Sequence, residues 1–331
     1  MSDTAPIGSS GPAPAVRPAG PLRRLWARGL GRMLRLSINE TRVATRGFQV
    51  DSPQVVRRLE QIGECFAHGY NSAVRSADMG ELMAALSQAP AADAGFVFEG
   101  AAMGLALTDR LTPGRAWFAG FVAGPAQHHE YMAWVGLGWA LARLPGSPAR
   151  ALRAHRSINK WLALDGYGFH EGYFGWRRSV SLQWRPRGLS AAEARVFDQG
   201  LGRSLWFVFG ARPAGVAQAI AAFDASRHGD LWSGVGLAAA YAGGTDGQGL
   251  HALHLAAAQQ GAALAQGVVF AAEARHRAGN AAEHTALACQ LIPGLGLPEA
   301  AALARRCLPD QGDDIETYQQ WRASIRAACA A

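Results

Sequence analysis

FEGAAMG (98–104), WVGLG (134–138), LDGYG (164–168), FDQGLG (197–202), WSGVG (232–236) and AQGVV (265–269) are the stretches whose reading decides the fold. Each is a small, apolar segment built around a glycine. Gly100, Gly136, Gly166, Gly200, Gly234 and Gly267 follow one another at intervals of 36, 30, 34, 34 and 33 residues. A period near 34 marks stacked two-helix units, because one such unit cannot bury its apolar face until a neighbour covers it. Neighbouring residues recur with the glycines. Phe98-Glu99-Gly100 returns as Phe197-Asp198-Gln199-Gly200, and Trp134-Val135-Gly136-Leu137-Gly138 returns as Trp232-Ser233-Gly234-Val235-Gly236. The expectation is an all-α chain of repeated antiparallel helix pairs, solenoid- or toroid-like, with about six units in two similar halves.

Glycine inside a helix costs about 1 kcal/mol relative to alanine. Its recurrence points to helices whose backbones approach closely, and Ala101, Ala102, Ala238, Ala239 and Ala240 extend the same flat faces. The partner helices read as ordinary amphipathic ones. Ser190 with Glu193 forms a capping box, and Pro213 opens the run from Ala214 to Phe223. Pro145-Gly146-Ser147-Pro148, Arg185-Pro186-Arg187-Gly188 and Gly243-Gly244-Thr245-Asp246-Gly247 read as loops. No segment sustains the period-2 alternation of a strand.

With 331 residues, 49% of them apolar, the chain is long enough for a large core. Its charge is uneven. Residues 1–50 hold eight arginines against Asp3 and Glu40, so they carry +6 of the total +7. The nearly neutral remainder predicts no nucleic-acid footprint. Residues 1–21, rich in Ala, Pro, Gly and Ser, are expected to be disordered. In residues 22–36, Leu22, Leu25, Trp26, Leu30, Met33 and Leu34 fall at helical spacing with arginines interleaved. This basic amphipathic helix suits either a cap on the stack or a peripheral contact with an anionic membrane or a partner. Residues 37–331 form the single helical repeat domain. Arg23-Arg24 sits where an export signal needs an apolar run, and no 18-residue apolar run is present. Cys65, Cys289, Cys307 and Cys329 lack metal-finger spacing and read as reduced thiols of a cytoplasmic protein.

Chemistry is densest in DGYGFHEGYFGWRR (165–178). Asp165 reads as an N-cap, with Gly166 and Gly168 breaking the preceding helix. His170 and Glu171, about 100° apart on a helix, do not face each other, and Glu171 is placed to pair with Arg177 or Arg178. His170 and Glu171 are candidates for acid and base work beside Tyr167 and Tyr173; the alternative is a polar junction between repeats. A second set comes from the repeat. Glu99, Asp165, Asp198 and Asp230 precede repeat glycines by one to four residues, with Arg203 and Arg275 downstream. In a curved array these groups converge on one concave pocket lined by Trp134, Trp206 and Trp232, suited to a large apolar ligand; the alternative is that each carboxylate caps its own helix. No metal and no cofactor is expected. His128-His129-Glu130 are consecutive rather than one turn apart, and no P-loop, GxSxG or dinucleotide fingerprint occurs.

EGAAMGLALTDRL (99–111), VGLGWALARLP (135–145), LALDGYGFHEGYFGWRR (162–178), FDQGLGRSLWFV (197–208), DLWSGVGLAAAYAGG (230–244) and HTALAC (284–289) resemble the bacterial domain-of-unknown-function 1702 family. The resemblance covers roughly residues 36–325. That family is associated with gene clusters for enediynes and other polyketide-type natural products. The resemblance therefore implies a part in secondary metabolism of a hydrophobic product, and it carries over no catalytic residue. Two functions follow. One is an enzyme or binding protein acting on a hydrophobic polyketide or polyene intermediate in a helical pocket. The other is a noncatalytic helical scaffold for a pathway protein. The sequence carries no signal for oligomeric state.

Overall fold

The computed structural model describes residues 20–330, without the side chains of Leu22 and Arg23. The disorder expected for residues 1–21 thus lies outside the described residues up to position 19, and Pro21 already opens a helix. The described residues contain 17 α-helices and no strand, so the protein is all-α. In chain order they are α1 (Pro21–Met33), α2 (Val43–Arg46), α3 (Pro53–Arg75), α4 (Met79–Leu86), α5 (Ala94–Leu111) and α6 (Trp117–Ala123). The middle holds α7 (Glu130–Leu141), α8 (Pro148–Leu152), α9 (Leu162–Phe174), α10 (Ala191–Val208), α11 (Pro213–Ala221) and α12 (Ala225–Ala242). The last are α13 (Gly247–Ala257), α14 (Gly261–Ala278), α15 (Glu283–Leu291), α16 (Leu297–Arg306) and α17 (Ile315–Ala330).

The glycine segments form the inner helices α5, α7, α9, α10, α12 and α14, and α3 precedes them. Each packs on the next in order. Glycine is required there by close approach. A Cβ on Gly136 would strike the carbonyl of Glu99 in α5, and one on Gly138 would strike that of Ala163 in α9. Two residues apart on a helix is about 200°, so a Gly-x-Gly pair presents one bare face to the preceding helix and one to the following helix. The pairs at 166/168, 200/202 and 234/236 repeat this arrangement.

Outside this row, α11, α13 and α15 pack side by side in the second half. Their counterparts α4, α6 and α8 are shorter, at 8, 7 and 5 residues. The Ser190–Glu193 capping box opens α10, and Pro213 starts α11. One apolar core runs from Val43 to Ile325. The row bends back on itself, with Phe96 of α5 edge-on to Tyr241 of α12 at 5.3 Å and Arg275 of α14 donating to the Ala92 carbonyl.

α1 is shorter than expected and packs on α3 through Ala27, Leu30 and Gly31. That contact is the one a cap on the stack would make. Leu25, Trp26 and Met33 stay exposed. Between α1 and α3 a strap crosses the fold. The Asn71 side chain accepts from the Leu36 N–H at 3.0 Å and donates to its carbonyl at 2.9 Å, while the Gln49 N–H donates to the Val208 carbonyl at 2.7 Å. Glu60 grips the middle of the strap through the Val43 N–H and Arg42. Among the described residues one segment, Gly247–Ala278, is long and apolar enough to cross a membrane, and 61% of its most apolar 18-residue window is buried within the fold.

Candidate functional site

Glu99 lies in the middle of α5, 1% exposed, and its Oε1 accepts from Trp139 Nε1 at 2.8 Å. It borders a narrow apolar cavity of about 30 Å³. Trp139 is the hub of the wall, with Phe66, Phe169, Tyr173 and Phe174 ring centroids 4.5, 5.2, 5.8 and 5.8 Å from it. Leu36, Glu40 and Thr41 of the strap close the cavity from outside. Positions 169 and 173 are one turn apart on α9, and Phe174 follows next in the chain, so a single helix supplies three of the rings.

Burial pushes the Glu99 carboxyl up to about 7, against the opposing pull of Arg203 and Trp139. The cost of desolvating a carboxylate outweighs one indole hydrogen bond and a charge that is already engaged. Arg203 is bound to Asp165, whose other oxygen accepts from Gln199 Nε2 at 2.8 Å. Both forms of Glu99 are therefore populated near neutral pH, which is the condition for a group that gives and takes a proton.

His170 and Glu171 sit behind this wall. The expectation that they cannot meet is wrong: His170 Nδ1 is 3.3 Å from Glu171 Oε1. The 100° separation applies to their Cβ directions, whereas the longer glutamate side chain curls back to reach the ring. Arg143 Nε donates to His170 Nε2 at 3.2 Å, and Arg178 pairs with Glu171. Burial lowers the His170 pKa, with Glu171 opposing it, and an imidazole accepting from Arg143 is neutral. The His170 ring packs on Trp139 at 5.6 Å and on Phe174 at 4.9 Å.

The remaining expected residues do not converge. Asp165 is no N-cap: α9 begins at Leu162, Gly166 and Gly168 lie inside it, and the Asp165 carboxylate is spent on Arg203 and Gln199. Asp198 is clamped by Arg185 and Arg227, and Asp230 by Arg195, Arg322 and Arg326. None of these carboxylates caps its own helix. Trp134 donates to Glu130 at 3.2 Å and packs on Phe118 and His155. Trp206 donates to the Gly243 carbonyl at 2.8 Å. Trp232 is buried in α12, and Arg275 is spent on the Ala92, Tyr241 and Asn280 carbonyls. Neither they nor Trp134 and Trp206 border the aromatic cavity, and Arg203 borders a second, smaller cavity of about 20 Å³ between the inner helices, with Leu162, Tyr241 and Phe270. Of the tyrosines, Tyr173 lines the cavity, whereas Tyr167 packs on Phe197 at 5.9 Å.

The position just before four of the six repeat glycines, at Asp165, Gln199, Ser233 and Gln266, carries polar groups that do connect. Arg203, Asp165, Gln199, Ser233, Gln266, Arg326 and Asp230 form one continuous hydrogen-bonded chain through the core. Among the described residues no group of three His, Cys, Asp or Glu side chains is arranged to hold a metal ion. Burial pushes the Cys65 thiol up to about 11, so it is not a nucleophile at neutral pH.

These features define an all-helical protein with a buried acid in an aromatic cavity. The chain belongs to the DUF1702 family, described as a protein of unknown function, whose pattern matches residues 26–329. No curated protein and no solved structure matches the chain.

Proposed function

We propose that the protein holds a hydrophobic polyketide- or polyene-type intermediate of natural-product biosynthesis in the aromatic cavity, where Glu99 moves a proton to or from the ligand. The observation that supports this most is the Glu99 carboxyl, raised to about 7 among aromatic rings with a single indole partner. Conjugated and aromatic ligands stack on such rings, and a neutral acid beside them protonates without the cost of a buried ion pair. The enediyne association rests on the resemblance of the repeat blocks to the family. At about 30 Å³ the closed cavity holds about two waters, so the ligand enters by displacing the strap at Leu36–Thr41.

A second reading, the noncatalytic scaffold for a pathway protein, is favoured by one fact. Asp165, Asp198 and Asp230 are all committed to arginines, as structural carboxylates are. Glu99→Gln separates the two, because the amide keeps the shape and the Trp139 contact but carries no transferable proton. Proton transfer predicts loss of product in the producing organism from a variant that melts like wild type. The scaffold predicts full product from that variant. Mass spectrometry of small molecules carried through purification then identifies the ligand, and a protein free of any apolar ligand counts against the cavity reading.

A further inference from the structure

We propose that α1 docks the protein on an anionic lipid surface. The helix has three faces. Ala27, Leu30 and Gly31 are used up against α3. Leu25, Trp26 and Met33 form a second stripe and are 67%, 55% and 68% exposed. Arg24, Arg28 and Arg32, four residues apart, make a third stripe beside it, continued by Arg35. None of these four arginines has a carboxylate partner in an ion pair among the described residues, and no acidic residue occurs from position 20 to 39.

An apolar stripe flanked by guanidinium groups matches the boundary between acyl chains and anionic headgroups, where arginine stems lie along the apolar zone and their heads reach phosphate. Trp26 suits the same depth, its indole N–H already turned to Thr112 Oγ1 at 3.4 Å. The charge of α1 itself is one-signed, with Asp78 and Glu81 across a surface cavity from Arg24 and Arg28, and its apolar face is narrow, which fits a bilayer surface better than the mixed rim of a protein partner. The exposed Ile38 continues the apolar side into the strap that closes the aromatic cavity. Docking would therefore set the cavity mouth next to the lipid phase. It stands whether or not Glu99 transfers a proton.

The test is co-sedimentation of the full chain with vesicles of phosphatidylcholine alone and with about one third phosphatidylglycerol. Wild type should pellet with the anionic vesicles, not with the neutral ones, and should be released by high salt. Trp26→Glu with Met33→Glu, and separately Arg24→Glu with Arg28→Glu and Arg32→Glu, should abolish pelleting. Each arginine near the surface is worth roughly fivefold. Because these side chains are exposed, melting temperatures should match wild type, and that match validates the comparison. No pelleting of wild type with anionic vesicles at physiological salt overturns the proposal. So does pelleting that survives both sets of changes, or capture of a pathway protein by α1 from a protein that ignores vesicles.

Discussion

Glu99 is a carboxyl whose surroundings disfavour its charge, and that sets a sign for stability. Its folded pKa, about 7, lies above the ordinary carboxyl value, so its contribution is fully present below the ordinary value and is lost as pH rises through 7. Across that window the folded state holds a proton that the unfolded chain has released. Glu99→Gln should melt close to wild type at pH 4 and above it at pH 8, by an amount up to about 3 kcal/mol. A difference between the two proteins that does not change with pH would remove the basis for the acid. His170 leads to the opposite expectation, because both its ring nitrogens are committed, to Arg143 and Glu171. His170→Ala should cost about 1 to 3 kcal/mol in denaturant unfolding, and product should fall only with protein level. Gly136→Ala and Gly234→Ala should each cost about 1 to 3 kcal/mol, since the added Cβ meets a carbonyl of the neighbouring helix that cannot move aside. Unchanged denaturation midpoints would show that the helices are not in close contact there.

Among the elements, α1 and the strap separate what the N-terminal region does. Leu30 and Ala27 are buried on α3, and Leu36 borders the aromatic cavity. Deleting residues 1–36 should therefore lower the melting temperature, by about 4 °C or more for each kcal/mol lost in a small domain and by less in a chain of this size. An unchanged melting temperature would contradict the capping contact. The strap is held by a few polar clips, chiefly Asn71 around Leu36 and Glu60 at Val43 and Arg42. Asn71→Ala should speed hydrogen exchange at residues 36–41 while leaving α9 and α10 protected.

At the scale of the whole molecule, α17 supplies Arg322 and Arg326 to Asp230 of α12 and so ties the last helix to the middle of the inner row. Burial works against the Asp230 charge, and Arg322, Arg326 and Arg195 more than offset it, holding the carboxyl below its usual range. Arg322→Leu removes the fully buried partner and should cost about 3 to 5 kcal/mol in denaturant unfolding. The all-helical class, the inner helices and their close glycine contacts were legible in the sequence. Period, composition and the missing Cβ are local properties that no tertiary contact is needed to see. Tyr173 was read as a pocket residue from its place beside His170 and Glu171, although nothing in the sequence named Trp139 as the ring it packs on. The site was not legible, because its walls are far apart in the chain. Glu99 meets Trp139 across 40 residues, and Leu36 of the strap meets the rings of α9 across more than 130. Which carboxylate stays unpaired depended on where the arginines land. Arg203, Arg227 and Arg322 each reach a different aspartate, and Glu99 is left with an indole. The sequence by itself determined that these helices pack backbone to backbone. Only the tertiary structure decided which acid remains protonatable, because desolvation and charge pairing are set by distances between elements.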